Sequence, residues 1–152
     1  MALQIKSIFT KTSNLRHPYC VKTQFLKFQF SNRRDAQRFC RQRTRNLKNL
    51  YISVLDSYTD ALYIVMSLNR ADIHLRRACN EIQYFIENPD KNADIVRFEK
   101  LCASAVANLV LIYSSAQNYK RIAKQWESTF ATYFTNIGKP FCEGSCLVTR
   151  IG

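Results

Sequence analysis

The stretch 47–68, LKNLYISVLDSYTDALYIVMSL, decides the fold. Leu47, Tyr51, Val54, Tyr58, Ala61, Val65 and Leu68 recur at alternating spacings of four and three, which places them on one side of an α-helix. The register continues through Leu75, Cys79, Ile82 and Ile86, and its one exception is Asp72, where an apolar residue is expected. Neither Gly nor Pro occurs between Pro18 and Pro89. The pattern predicts one helix over about 33–88, or two roughly collinear pieces divided near Asn69 and Arg70. Ser31 or Asn32 supplies the N-cap, since a short polar side chain there accepts from free backbone N–H groups.

Pro89 forces a turn, and the composition of 88–92 suits a tight connection. A second heptad series follows, from Ile95, Phe98, Cys102, Ala105, Leu109 and Ile112 through Ala116, Tyr119, Ala123 and Trp126 to Phe130, Tyr133 and Ile137. Asp90 or Asn92 caps this helix, Asp94 complements its dipole, and Gly138 with Pro140 ends it. Two long helices over about 33–88 and 92–137 joined by a short turn run antiparallel. The predicted fold is therefore all-α, a helical hairpin on the order of 65 Å long. The hairpin domain covers 33–138, behind a basic arm over 1–32 and before an irregular cysteine-containing tail over 139–152. Three glycines and three prolines in 152 residues leave too few tight turns for sandwiches, barrels or doubly wound sheets.

One seam cannot hide all the apolar surface. Leu50, Leu55, Phe85, Val106 and Phe134 fall outside the two core positions, and so do two clusters facing each other across the hairpin: Leu62, Tyr63, Ile64 and Met66 with Val110, Leu111 and Tyr113. The arm, a break that folds the first helix into a three- or four-helix bundle, a second copy or a partner protein would each cover this belt. The belt is read here as a protein interface, completed by self-association or a partner. Leu101 to Tyr119 holds no charge, but Ser104, Asn108, Ser114, Ser115, Gln117 and Asn118 dilute it, which argues against insertion into a membrane.

Charge is unevenly placed. Residues 1–50 hold 12 Lys/Arg against one acid, Asp35, while 51–152 hold 11 against 10, so anion-seeking behaviour belongs to the N-terminal part. An acid-free, Ser/Thr-containing and weakly amphipathic start fits a mitochondrial presequence ending near Arg33 and Arg34. It equally fits a basic arm, including the extended run Phe25–Phe30, that packs on the helices. On a helix Arg34, Arg38, Arg41 and Arg45 form a continuous stripe, followed by Lys48, beside Phe28, Phe30 and Phe39. Such a stripe suits RNA, DNA, an acidic protein or an anionic membrane.

Chemistry is otherwise sparse. No glycine-rich phosphate loop, nucleophile elbow or His-Glu-x-x-His pair is present, and neither His17 nor His74 has a nucleophile to serve, so no catalytic residue, cofactor or metal is assigned. His17 and Cys20 with Cys142 and Cys146 match zinc spacing only loosely. Cys79 and Cys102 read as core thiols, Cys40 and Cys142 sit symmetrically near the open end, and Cys142 with Cys146 is the pair best spaced for oxidation. The expectation is a non-enzymatic assembly or scaffold subunit docking through the belt and the Arg-rich helix end. Alternatives are an RNA-binding or ribosome-associated subunit, or a small membrane-associated one, in mitochondria or else in the cytoplasm or nucleus.

Overall fold

The computed structural model describes residues 5–68, 72–88, 94–136 and 146–151, without the side chains of 134–136. In chain order the elements are strands β1 (Thr10–Lys11), β2 (Tyr19–Lys22) and β3 (Leu26–Phe30), helices α1 (Arg33–Ser67), α2 (Ile73–Glu87) and α3 (Ile95–Ser114), a 3-10 turn (Gln117–Tyr119), helix α4 (Lys120–Asn136) and strand β4 (Cys146–Arg150). The fold is mostly helical, but it is not the all-α hairpin that the heptads imply. Both long helices are broken, and a four-stranded antiparallel sheet, order β1-β2-β3-β4, joins the arm to the tail.

α1 begins where expected. Asn32 Oδ1 accepts from the Asp35 backbone N–H at 2.8 Å, and Asn32 Nδ2 donates to the Asp35 carboxylate at 2.9 Å. The helix stops at Ser67, whose hydroxyl donates to the Ile64 carbonyl, and Leu68 is extended. Asp72 then caps α2 by accepting from the Leu75 N–H at 3.2 Å. The charge that interrupts the heptads is thus the start of a new helix. The residues proposed as the site of a collinear kink, Asn69 and Arg70, lie outside the described residues, as do Pro89, Asp90 and Asn92. α2 is not collinear with α1 but runs back along it: Tyr51 of α1 stacks edge-on against Phe85 at 5.3 Å, and its hydroxyl donates to the Ile86 carbonyl.

α3, N-capped by Asp94, packs against α1, α2 and α4 and so forms the centre of the helical layer. The second heptad series also divides. Ser114 and Ser115 turn their hydroxyls onto the Leu111 and Ile112 carbonyls, Ala116 is extended, and α4 returns along α3 with Tyr119 stacked 5.9 Å from Tyr113. Leu50, Phe85 and Val106, surplus in a two-helix seam, are buried within this bundle. The expected helix terminators Gly138 and Pro140 fall outside the described residues.

The sheet forms despite the scarcity of glycine because polar side chains build its turns. Asn14 Oδ1 accepts from the Arg16 and His17 N–H groups between β1 and β2, and Thr23 exchanges hydrogen bonds with Leu26 between β2 and β3. Phe28 and Phe30 point from one face of β3 onto Phe39 of α1, at 4.8 and 5.4 Å, with Val21, Ala36 and Cys40 around them. Residues 146–150 of the tail, expected to be irregular, pair in register with β3. The arm reaches further still, since Ile5 is buried in the helical core.

The two cores carry different loads. Phe28→Ala should cost about 3–5 kcal/mol and release amide-exchange protection across β2 and β3, because it opens a cavity in the small apolar cluster that holds the sheet on α1. Asp72→Ala should cost only about 1 kcal/mol, the worth of one cap. Urea unfolding of both variants checks the order.

Candidate functional site

α1 has two faces at its N-terminal end, and they do different things. On the inner face the buried stripe Phe39, Cys40, Leu47 and Tyr51 is interrupted by Arg43, which is only 2% exposed. Its guanidinium makes a two-point ion pair with Glu99 of α3, itself 5% exposed: Nη2 meets Oε1, and Nε donates to Oε2 at 3.3 Å. Nη1 donates to the Ser7 hydroxyl at 3.2 Å and the Lys22 carbonyl at 3.3 Å, and the Tyr133 hydroxyl of α4 donates to Glu99 Oε2 at 2.9 Å. The Ser7 backbone N–H is held in turn by Thr44 Oγ1 at 2.8 Å. Among the described residues no buried side-chain polar atom lacks a partner.

Burial and the Glu99 charge suppress ionisation of the acidic side chains around this cluster. Tyr133 is held neutral chiefly by desolvation, reinforced by the adjacent carboxylate, and the Cys102 thiol is pushed up by the same two causes. Burial also raises Cys40, against smaller opposing effects of Ser7 and Arg43. Cys20, Cys40, Cys79 and Cys102 are buried free thiols, and burial raises Cys79 as it does Cys40 and Cys102, which disfavours the reactive thiolate at those three. Cys142, needed for both the zinc and the oxidation readings, lies outside the described residues, and among those described no three metal-binding side chains converge.

On the outer face Arg34, Arg38, Arg41 and Arg45 are all exposed and Lys48 is half-buried, as the spacing requires. The arm runs beside this face and closes a groove against it. Lys6, Ile8 and Phe9 form one wall, while Arg41, Arg45, Lys48 and Ile52 form the other, over a floor that includes Cys40 and Thr44. Among the described residues four cations and no acid line it. The aromatic residues expected beside the stripe are not available to it: Phe28, Phe30 and Phe39 are at most 2% exposed, and the half-buried Phe9 lies edge-on to Tyr19 with the Arg33 guanidinium over its ring.

The apolar belt is divided. Ile64 and Tyr113 belong to the chain's own core, with the Tyr113 hydroxyl donating to the Ser57 carbonyl at 3.2 Å, so neither is presented to a partner. Leu62 and Val110 are half-buried against that core, and Tyr63, Met66 and Leu111 are exposed. The break at Asp72 supplies much of the cover that a second molecule was expected to provide. No described helix is long and apolar enough to cross a membrane, and the uncharged run from Leu101 is cut where α3 ends at Ser114.

Sequence reasoning missed Arg43, Glu99 and the partnership of Tyr133. A signal was present, since Arg43 stands four residues from both Phe39 and Leu47 on an otherwise apolar stripe. A scan of protein-family models, of curated proteins and of solved structures finds no match to this chain.

Arg43→Met should cost about 3–5 kcal/mol in urea unfolding, because it strands Glu99 in the core. The double variant Arg43→Met, Glu99→Leu should be more stable than either single variant, and an additive result would refute the coupling. Because the folded pKa of Tyr133 lies above its unfolded value of about 10, its contribution is complete below that pH and declines above it. Tyr133→Phe should therefore be less stable at neutral pH by about 1.5–3 kcal/mol and show a shallower loss of stability at alkaline pH.

Proposed function

We propose that this chain is a non-enzymatic assembly subunit that engages an anionic macromolecule through the outer face of α1. The observation that carries the proposal is the groove between the arm and α1, walled by Lys6, Arg41, Arg45 and Lys48 and lined, among the described residues, by no acid. Arg41, Arg45 and Lys48 are mounted on a helix whose opposite face is locked by the Arg43–Glu99 pair, so little side-chain-bearing backbone has to be ordered on binding. Planar guanidiniums favour oxygen anions bidentately. The remaining charge is consistent with this division, because the helices beyond residue 50 carry nearly balanced charges.

An RNA-binding function shares the cation stripe but loses support from the burial of Phe28, Phe30 and Phe39, which removes those three rings as platforms for stacking bases. Exposed Tyr63, Met66 and Leu111 leave a small second surface for contacts within a complex.

Arg41→Gln, Arg45→Gln and Lys48→Gln combined should preserve the helix, since Gln is a good helix former, and should abolish binding to polyglutamate, duplex RNA or anionic vesicles, whichever the wild type prefers. Titration at several salt concentrations checks this. Binding by the wild type should weaken with salt, and the variant should show a reduced dependence. Absence of binding to all three probes at physiological salt, or equal binding by the variant, would refute the proposal.

A further inference from the structure

The groove is not only basic. Ile8, 69% exposed, stands on the arm wall, and Ile52, 51% exposed, stands at the far end of the α1 wall. Two large aliphatic side chains left in water beside a line of cations are poorly suited to a phosphate backbone, which offers them nothing to bury. They suit a partner that brings both carboxylates and aliphatic side chains. The spacing on α1 is regular: Arg41, Arg45, Lys48 and Ile52 follow at four, three and four residues, one straight face that continues to Gln37 at the other end. That lane is roughly 22 Å long at 1.5 Å per residue, the length of about four helical turns.

The walls also discriminate between an extended and a helical occupant. An added strand needs a free sheet edge, and the strand nearest the groove, β1, has only two residues, Thr10 and Lys11. The Ser7 N–H on the arm wall is already given to Thr44 Oγ1. A helix satisfies its own backbone and asks only for side-chain complementarity, which is what this groove presents. Resting on the anionic-partner function above, we infer that the groove between the arm and α1 is a docking site for an acidic amphipathic helix of another protein. Its carboxylates pair with Lys6, Arg41, Arg45 and Lys48, and its aliphatic side chains cover Ile8 and Ile52.

The test uses the full chain and four probes: a 15-residue helix-forming peptide with Glu on one stripe and Leu on the adjacent one, a peptide of the same composition with the stripes scrambled, a 16-base-pair RNA duplex, and phosphatidylserine vesicles. Fluorescence anisotropy should show the patterned peptide binding at least about tenfold more tightly than the scrambled one, with a gain of helical circular dichroism on binding. Ile8→Ser and Ile52→Ser together, both at exposed positions, should leave urea unfolding unchanged and weaken the patterned peptide by about tenfold or more. Equal binding of the two peptides, indifference to the isoleucine substitutions, or preference for the duplex or the vesicles would overturn the acidic-helix inference while leaving the anionic-partner function standing. Binding of none of the four would overturn both.

Discussion

Arg43 and Glu99 share a two-point ion pair in a part of the molecule almost sealed from water, and four segments of chain meet there. Arg43 belongs to α1, Glu99 to α3, Tyr133 to α4, and Ser7 and the Lys22 carbonyl to the arm. Desolvating a guanidinium and a carboxylate costs several kcal/mol each, and the cost is offset only if both ions are saturated with partners. Here every one of those segments supplies a partner. An apolar contact at this point would tolerate sliding of one element along another, whereas a fork of directed hydrogen bonds is met in one arrangement only.

The same residue explains how one helix serves both structure and recognition. With Arg43 turned inward, Arg41 and Arg45, two residues to either side of it, are left in water on the other face of α1, and the arm that Arg43 anchors through Ser7 becomes the second wall of a groove beside them. The inner cation is neutralised, whereas Lys6, Arg41, Arg45 and Lys48 meet no acid in that groove among the described residues. Basic character is thereby concentrated at the end of the molecule carrying the sheet, while the bundle beyond it is close to neutral. The arm is part of the architecture as well as of the surface, because Ile5 enters the helical core and Phe28 and Phe30 form the centre of the sheet's own cluster.

Much of the helical pattern was readable one residue at a time. A cap at Ser31 or Asn32, the start of α1, the inward direction of Leu47, Val54, Ala61, Ile82, Phe98 and Leu109, and the exposed arginine stripe all follow from local spacing. Where the reading failed, the decisive signal was small beside a long regularity. Asp72 breaks the register of a heptad series that fits one helix or two collinear pieces, and a lone acid there is the side chain a new helix start requires. Ser114 and Ser115 were outweighed by a heptad that continued in step across the break, because apolar residues on both sides of a tight reversal face the same core. Scarce glycine argues against sandwiches, barrels and doubly wound sheets and so favours an all-α chain, yet Asn14 and Thr23 make the turns of a small sheet with side-chain hydrogen bonds.

By itself the sequence determined the periodic faces: which residues of each helix seek the interior, which arginines share a stripe, and that charge gathers before residue 50. These depend on contacts within a few turns of chain, and helical geometry alone sets them. Only the tertiary structure decided that the helices fold back into a bundle, that β4 pairs with β3 across more than a hundred residues, that Arg43 spends its charge on Glu99, and that the arm closes a groove over Arg41 and Arg45. Each of these is a pairing between distant segments, chosen by the burial and hydrogen bonding of the whole chain. No local spacing records which partner a strand edge or a buried charge will find.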